Sequence, residues 1–411
     1  MTGSSPRHVE MTQFPVVDDC LQIGGTPLPR LADRVGSTPF YAYDRKLISD
    51  RVALLRRHLP SGVELHYAVK SNPMPELLCH MATLVDGLDV ASAGELRAAL
   101  NTGMSPEHVS FAGPGKSQAE LAQAAAAGIL INIESSREID ALTAIAARTG
   151  YVPRVAVRVN PDFELRSSGM KMGGGARQFG VDAEQVPELL QQLGSSGLSF
   201  QGFHLYAGSQ NLRSLSICEA QRQSFSLAER LASHAPSPVK VLNLGGGFGI
   251  PYFPGETRLD LGPIGENLAS LAERGAKVFP AATLVLELGR FLVGEAGIYV
   301  CRVLERKVSR GQIFLITDGG RHQHLAAAGN FGQVIRKNYP VIVGNRVSGS
   351  RREAASIVGP LCTPLDLLAD QMDLAQAHAG DLVVIFQSGA YGLTASPTAF
   401  LSHPNPLEVL V

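Results

Sequence analysis

The 411-residue chain predicts an α/β protein, a (β/α)8 TIM-like barrel with a second, mostly antiparallel β-domain. Two observations lead there. Between about residue 40 and residue 290 short β-rich apolar runs alternate with longer helical patterns, and beyond Arg290 that alternation stops. Strand then helix, repeated eight times, means a parallel sheet, and eight such units closing on themselves make the barrel. An open doubly wound sheet satisfies the same pattern and is the competing architecture.

In order, a first strand-like segment covers 40–43, and eight candidate barrel strands follow at 66–70, 88–91, 109–112, 130–134, 155–160, 202–208, 241–245 and 284–287. Helical patterns lie between most of them, at 95–102, 118–127, 136–149, 186–193, 215–233 and 264–278. After these, the β-like runs 300–308, 313–317, 340–345, 355–358 and 382–387 are separated by Gly, Pro, Ser and Asn, which suits an antiparallel sheet. The predicted division is 1–39 as an N-terminal part of the β-domain, 40–292 as the barrel and 293–411 as the C-terminal β-domain. No internal repeat or low-complexity linker interrupts it.

Hydrophobic residues make up 45% and charged residues 18%, which excludes wholesale disorder. With 36 Lys and Arg against 37 Asp and Glu, the chain has no basic footprint for nucleic acid or an anionic membrane. The Ala-rich run 122–133 is bracketed by Glu120 and Glu134 and is too short to span a bilayer, and residues 1–15 carry no apolar signal region. Five scattered cysteines without a Cys-x-x-Cys pair point to a reducing cytoplasm and away from structural zinc. His322-Gln323-His324 is a lone His-x-His, a polar loop rather than a metal pair.

Barrel active sites lie at the C-terminal ends of the strands. The polar residues found there are Lys70 after the first strand, Asp89 and Ser92 after the second, and Arg158 and Asn160 after the fifth. Tyr206 and Ser209 follow the sixth, Gly245-Gly246-Gly247-Phe248-Gly249 the seventh, and Glu287 and Arg290 the eighth. An apolar strand carries Lys70 into a partly desolvated cleft, where burial lowers an amine's pKa as a Schiff-base lysine requires. For an isolated lysine there, snorkelling at a strand terminus is the ordinary reading, and only its context overturns it. Glycines without Cβ atoms let backbone N–H groups approach an anion, and the loops after strands seven and eight are the usual phosphate site of such barrels; a plain tight turn is the alternative. An acid at the last strand can keep a pyridine nitrogen protonated, making pyridoxal 5'-phosphate a strong electron sink, while Arg290 meets phosphate or carboxylate; a barrel-mouth salt bridge is the other reading of that pair.

These residues resemble the fold type III pyridoxal-phosphate decarboxylases, the group of diaminopimelate, ornithine and arginine decarboxylases. The likeness runs from Phe40 to Val411 and rests on Tyr67-Ala68-Val69-Lys70, the glycines from Gly245, Glu287-Leu288-Gly289-Arg290, Gly359-Pro360-Leu361-Cys362 and Gly389-Ala390-Tyr391. It implies a head-to-tail homodimer with active sites at the interface. Lys70 would bind the cofactor's aldehyde, Gly245, Gly246 and Gly247 with Arg290 and Tyr391 would hold its phosphate, and Glu287 would pair with its ring nitrogen. Asp89, Arg158, Tyr206, Ser209 and Gly289 match further cofactor-region positions. Cys362, reaching in from the partner subunit, would return a proton to Cα after carbon dioxide leaves, and Arg290, Thr363, Asp366 and Tyr391 would face the substrate.

Two departures from the family pattern matter. Tyr206 stands where the family places a cofactor-stacking His, and His204, two residues earlier, is expected to be a core residue. Thr363 follows Cys362 where diaminopimelate and ornithine enzymes carry the acid that receives a distal ammonium. Losing that contact removes roughly 1.5–3 kcal/mol. Asp366, three residues on, either reaches the substrate or stabilises the dimer. Together with Arg177-Gln178-Phe179-Gly180 and Gly329-Asn330-Phe331-Gly332-Gln333, these features look most like a bacterial branch associated with exosortase or carrier-protein pathways. The resemblance implies an α-decarboxylase of an amino acid or of an aminoacyl group on a carrier protein. The alternatives are a diaminopimelate decarboxylase proper, a racemase of related architecture, for which an Arg at the ring nitrogen would be expected in place of Glu287, and a noncatalytic cofactor-binding protein.

Overall fold

The computed structural model describes residues 7–164, 170–171, 173–329 and 337–411, so Asn330 to Gln333 of the glycine-rich segment lie outside it. The chain forms two compact units, Arg51–Gly249 with Leu259–Gly289, and Met1–Asp50 with Ile250–Arg258 and Arg290–Val411.

The first unit is the barrel. Its strands are β1 (Val63–Ala68), β2 (Gly87–Val90), β3 (Val109–Phe111), β4 (Leu130–Ile133), β5 (Arg154–Asn160), β6 (Ser199–Leu205), β7 (Val241–Gly246) and β8 (Thr283–Leu288). Each pairs in parallel with the next, and β8 closes on β1 with Leu284 opposite Val63 and Leu288 opposite Tyr67. The expected closed barrel is therefore present and the open sheet is not.

Helices form where the sequence caps them. Ser117 and Glu120 make a reciprocal capping box at the start of Gln118–Ala127, and Gly128, at φ 73°, ends that helix in the left-handed conformation. Ser92, one of the polar residues after β2, accepts from the Glu95 N–H and caps Ala93–Asn101. Its hydroxyl is thus used by the fold.

One irregularity decides what the barrel interior contains. The β5–β6 register shifts between Phe200 and Gly202, leaving Gln201 as an extra residue, and Gly202 adopts φ +150°. A Cβ on Gly202 would sit 1.8 Å from the Val241 carbonyl oxygen. Beyond the bulge, His204 is opposite Arg158 on β5 and Asn243 on β7.

The second unit is a mostly antiparallel sheet in the order Val341–Val343, Leu382–Ile385, Gly297–Ser309, Gln312–Thr317, Arg352–Val358, Leu367–Ala375. Its one parallel pair on this path joins Gln312–Thr317 to Arg352–Val358. Phe40–Tyr43 adds to it, antiparallel to Gly297–Ser309 and parallel to Leu407–Leu410. Phe14, Leu21, Ile23, Leu28 and Leu31 pack in one core with Phe40, Ile298, Val300, Val384 and Phe386. The N-terminal residues thus complete the core of the C-terminal sheet. Among the described residues no helix is long and apolar enough to cross a membrane.

Because Gly202 combines a positive φ with a backbone clash, Gly202→Ala is expected to lower the thermal midpoint by roughly 2–10 °C. Gly94→Ala, whose Cβ would meet nothing nearer than 3.6 Å, should leave it unchanged or raised. Differential scanning calorimetry of both variants checks this.

Candidate active site

Strand β1 stops at Ala68 and the chain enters a 3-10 turn, Val69–Ser71, with Lys70 at its centre. The stop follows from Asn72-Pro73, since the residue before proline is driven to extended geometry and Asn72 adopts φ −160°. Three bonds lock the turn: Ser71 Oγ donates to Ala68 O at 2.9 Å, Tyr67 OH to Asn72 O at 2.9 Å, and the Met74 N–H to Asn72 Oδ1 at 3.0 Å. Gly289, at the end of β8, lets the turn approach, since a Cβ there would lie 2.8 Å from Ser71 Cβ. The Lys70 side chain remains 45% exposed, with Nζ 3.5 Å from Glu287 Oε1 and 5.7 Å from the centre of the Tyr206 ring.

Glu287 is buried on β8, opposite Gly246 on β7 and His66 on β1. His204 Nε2 lies 3.1 Å from its Oε2, and that imidazole is 2% exposed. Burial would push the Glu287 carboxyl up, but the Lys70 ammonium, the His204 hydrogen bond and charge, and the more distant Arg158 guanidinium hold it well below the usual carboxylate range. It is ionised throughout the neutral range. His204 is the buried residue expected, and the register beyond the Gly202 bulge places it beside the carboxylate, which no local sequence signal carries.

Gly245, Gly246 and Gly247 mark where three strand ends converge. Added Cβ atoms would fall 2.6 Å from Leu205 O, 1.9 Å from Glu287 O and 2.0 Å from Gly208 O, respectively. The run continues into the Asn211 bridge, where the Asn211 N–H donates to Gly247 O and the Gly249 N–H to Asn211 O, both at 2.9 Å. Glycine is required here by close backbone packing, and a wall without side chains results. Ser209 follows Tyr206 on a short strand pairing with Met170–Lys171.

Arg158 and Asp89 are used within the barrel. Arg158 Nη1 donates to Glu134 Oε1 at 2.9 Å, and its guanidinium stacks 4.9 Å from the Phe179 ring centre. Glu134 also accepts from the N–H groups of Gly113 and Gly180, anchoring the Arg177 to Gly180 segment. Buried Lys116 donates to Gly113 O, Asn132 O and Glu138. Sequence reasoning missed Lys116, Glu134 and Glu138 as members of this network. Asp89 accepts from Ser110 Oγ, lies 3.5 Å from His66 Nδ1 and leaves Oδ2 buried without a partner. His66 is held up at about 10: burial disfavours its charge, but the Asp89 and Glu64 carboxylates outweigh that.

In the second unit, Arg290 Nη1 donates to Tyr252 OH at 2.9 Å, and its guanidinium sits 4.6 Å from the Tyr391 ring centre and 5.4 Å from that of Tyr252. Tyr391 holds φ 53°. Arg290 Nε is buried without a hydrogen-bond partner. Cys362 is exposed and Thr363 half-buried. Asp366 is buried and scaffolds the loop: Oδ1 accepts from the Arg321 N–H at 2.7 Å and Oδ2 from the Leu361 N–H at 2.8 Å. His324 is buried against Ser388 Oγ and His322 against the His403 ring, and no metal-binding group of three forms among the described residues.

The family model described as "Pyridoxal-dependent decarboxylase, pyridoxal binding domain" matches residues 45–294. The L-glutamyl-(BtrI acyl-carrier protein) decarboxylase of Niallia circulans is 38% identical over 383 residues, 91% of this chain and 88% of that protein. The chain belongs to the pyridoxal-dependent decarboxylases. The diaminopimelate decarboxylase of Aquifex aeolicus is 32% identical over 397 residues, 96% of this chain and 91% of that one. The crystal structure of the Helicobacter pylori diaminopimelate decarboxylase complexed with L-lysine superposes with a TM-score of 0.82 at 26% identity, covering 93% of this chain and 94% of that one. The cofactor of this decarboxylase is pyridoxal 5'-phosphate. The barrel residues fit it: an amine at a strand end, an ionised acid 3.5 Å away and a side-chain-free wall.

Two protonation signs follow. Glu287, depressed in the fold, stabilises the protein above the ordinary carboxylate value, and that contribution is lost only as pH falls well below it. His66, raised from 6.5 to about 10, contributes in full below pH 6.5 and loses its contribution as pH rises through about 10. Thermal midpoints measured from pH 6 to 10.5 should therefore decline, and the decline should be shallower in His66→Gln.

Proposed function

We propose that this decarboxylase removes the α-carboxylate of an aminoacyl group carried on an acyl-carrier protein, with Lys70, Glu287 and Cys362 as its reacting side chains. The observation that carries the substrate reading is the loop from Gly359 to Asp366. It presents no exposed carboxylate to a distal ammonium, because Thr363 is neutral and Asp366 is buried, with each oxygen bonded to a backbone N–H. A free diamino acid would enter without a charge-assisted partner there, whereas a substrate whose far end is a neutral thioester needs none. The relative from Niallia circulans, named for a carrier-bound glutamyl group, supports the same reading.

Pyridoxal 5'-phosphate supplies an electron sink for the pair left at Cα when carbon dioxide departs. Lys70, on its rigid turn, presents the amine that binds the cofactor's aldehyde. Ionised Glu287 holds a proton on the ring nitrogen. The Tyr206 ring offers a stacking face, and the glycine wall receives anionic oxygens; the family resemblance assigns Arg290 and Tyr391 to the cofactor's phosphate as well. Asp89, Arg158 and Ser209 act as cofactor-region residues around them.

Cys362 Sγ delivers the proton to Cα. The thiol is exposed on its own chain beside Leu365, which is 59% exposed. An exposed loop with an apolar side chain and a free thiol suits burial at a subunit interface, so on this reading the working enzyme is a head-to-tail homodimer whose sites each borrow Cys362 from the partner. We place it in the cytoplasm, where its cysteines stay reduced.

Cofactor-loaded enzyme should release carbon dioxide from glutamyl-loaded acyl-carrier protein with a kcat/KM at least about tenfold above that for meso-diaminopimelate. Faster turnover of the diamino acid overturns the substrate reading, and Lys70→Ala should lose both turnover and the visible absorbance of bound cofactor. Lys70→Ala and Cys362→Ala proteins are each expected to be nearly inactive, and mixing them after mild dissociation should restore about one site in four by random assortment. No recovery on mixing would refute the shared site.

A further inference from the structure

His204 stands out among the buried polar groups of the barrel. Its Nε2 engages Glu287 Oε2 at 3.1 Å, while its Nδ1 is buried with no hydrogen-bond partner. An imidazole kept for packing alone would be better replaced by an apolar side chain, because leaving one nitrogen bare costs desolvation. The fold accepts that cost and adds a bulge at Gly202 to aim the ring. Arg158, opposite His204 in the register, gives its hydrogen bond to Glu134 instead.

Among the described residues the carboxylate meets Lys70 at Oε1 and His204 at Oε2. They are not equivalent. Once the Lys70 amine is committed to the cofactor's aldehyde, its ammonium no longer compensates Glu287, and His204 is the direct donor that remains.

We propose that His204 is a positioning residue for the cofactor's ring nitrogen: by donating to Oε2 it holds Glu287 in one rotamer, ionised, with Oε1 left to keep the ring proton in place. The inference rests on the assignment of Glu287 as partner of that nitrogen. It gives His204 a part in the reaction without contact with the reacting atoms.

The test uses holoenzyme loaded with pyridoxal 5'-phosphate labelled with 15N in the ring, and reads ring-nitrogen protonation from the 15N chemical shift at pH 7.5. Glu287→Gln and His204→Leu should both move the shift toward the unprotonated value, and His204→Gln, which retains an N–H donor, should move it less. His204→Leu should lower kcat roughly ten- to hundredfold with KM within about twofold, as loss of a supporting hydrogen bond does. A wild-type shift in His204→Leu, with Glu287→Gln displaced, overturns the role of His204 alone. A wild-type shift in Glu287→Gln overturns the Glu287 assignment itself. If His204→Leu does not fold, 15N-histidine labelling of the otherwise unaltered holoenzyme decides: a protected, downfield Nε2–H signal that vanishes in Glu287→Gln supports the inference, and its absence overturns it.

Discussion

A carboxylate inside a barrel is stable as an anion only if neighbouring positive charge and hydrogen bonds replace the water it has lost. Glu287 is placed under that constraint, and Lys70, His204 and Arg158 meet it from the turn after β1, from β6 and from β5. Several backbone peculiarities serve the same end. Gly289 admits the turn that presents Lys70, Gly246 lets β7 approach the Glu287 backbone, and the Gly202 bulge turns His204 inward. Each is a position where a Cβ would collide with neighbouring atoms. Geometry that the anion needs is therefore built into glycines distributed over three strands.

The same logic repeats across the barrel interior. Arg158, Glu134, Lys116 and Glu138 form a chain of alternating charge, and His66, Asp89, Ser110 and Asn132 form a second polar series. Barrels of this architecture commonly fill their centre with branched apolar side chains. Here the inner face carries polar groups and the apolar burial lies between strands and helices, for instance at Leu96, Leu121, Leu142 and Leu190. Stability and chemistry thus occupy opposite faces of one sheet.

How far these features can be read without coordinates depends on how local their cause is. The strand and helix alternation has a local cause, and all eight barrel strands lie where apolar runs were expected, with ends shifted by a few residues. Lys70 and Glu287 were legible because each combines an unusual residue type with a strand end. His204 was expected in the core and is buried there, but its contact with Glu287 was not legible, since it depends on one extra residue in β6 and on the register with β5. Asp366 was expected to face a substrate or a dimer interface. It is occupied by two backbone N–H groups, one of them from Arg321, 45 positions away in the chain.

Residue type and spacing by themselves point to the barrel, its second sheet and an amine and an acid at strand ends, because each follows from periodicity or from functional-group chemistry along the chain; the cofactor came with the family resemblance. Tertiary structure alone decides which charges neutralise which: His204 rather than Arg158 bonds to Glu287, Arg158 goes to Glu134, and Asp366 is spent on a loop. Hydrogen bonds act over about 3 Å, and distances that short between residues dozens of positions apart are set by register, bulges and closure.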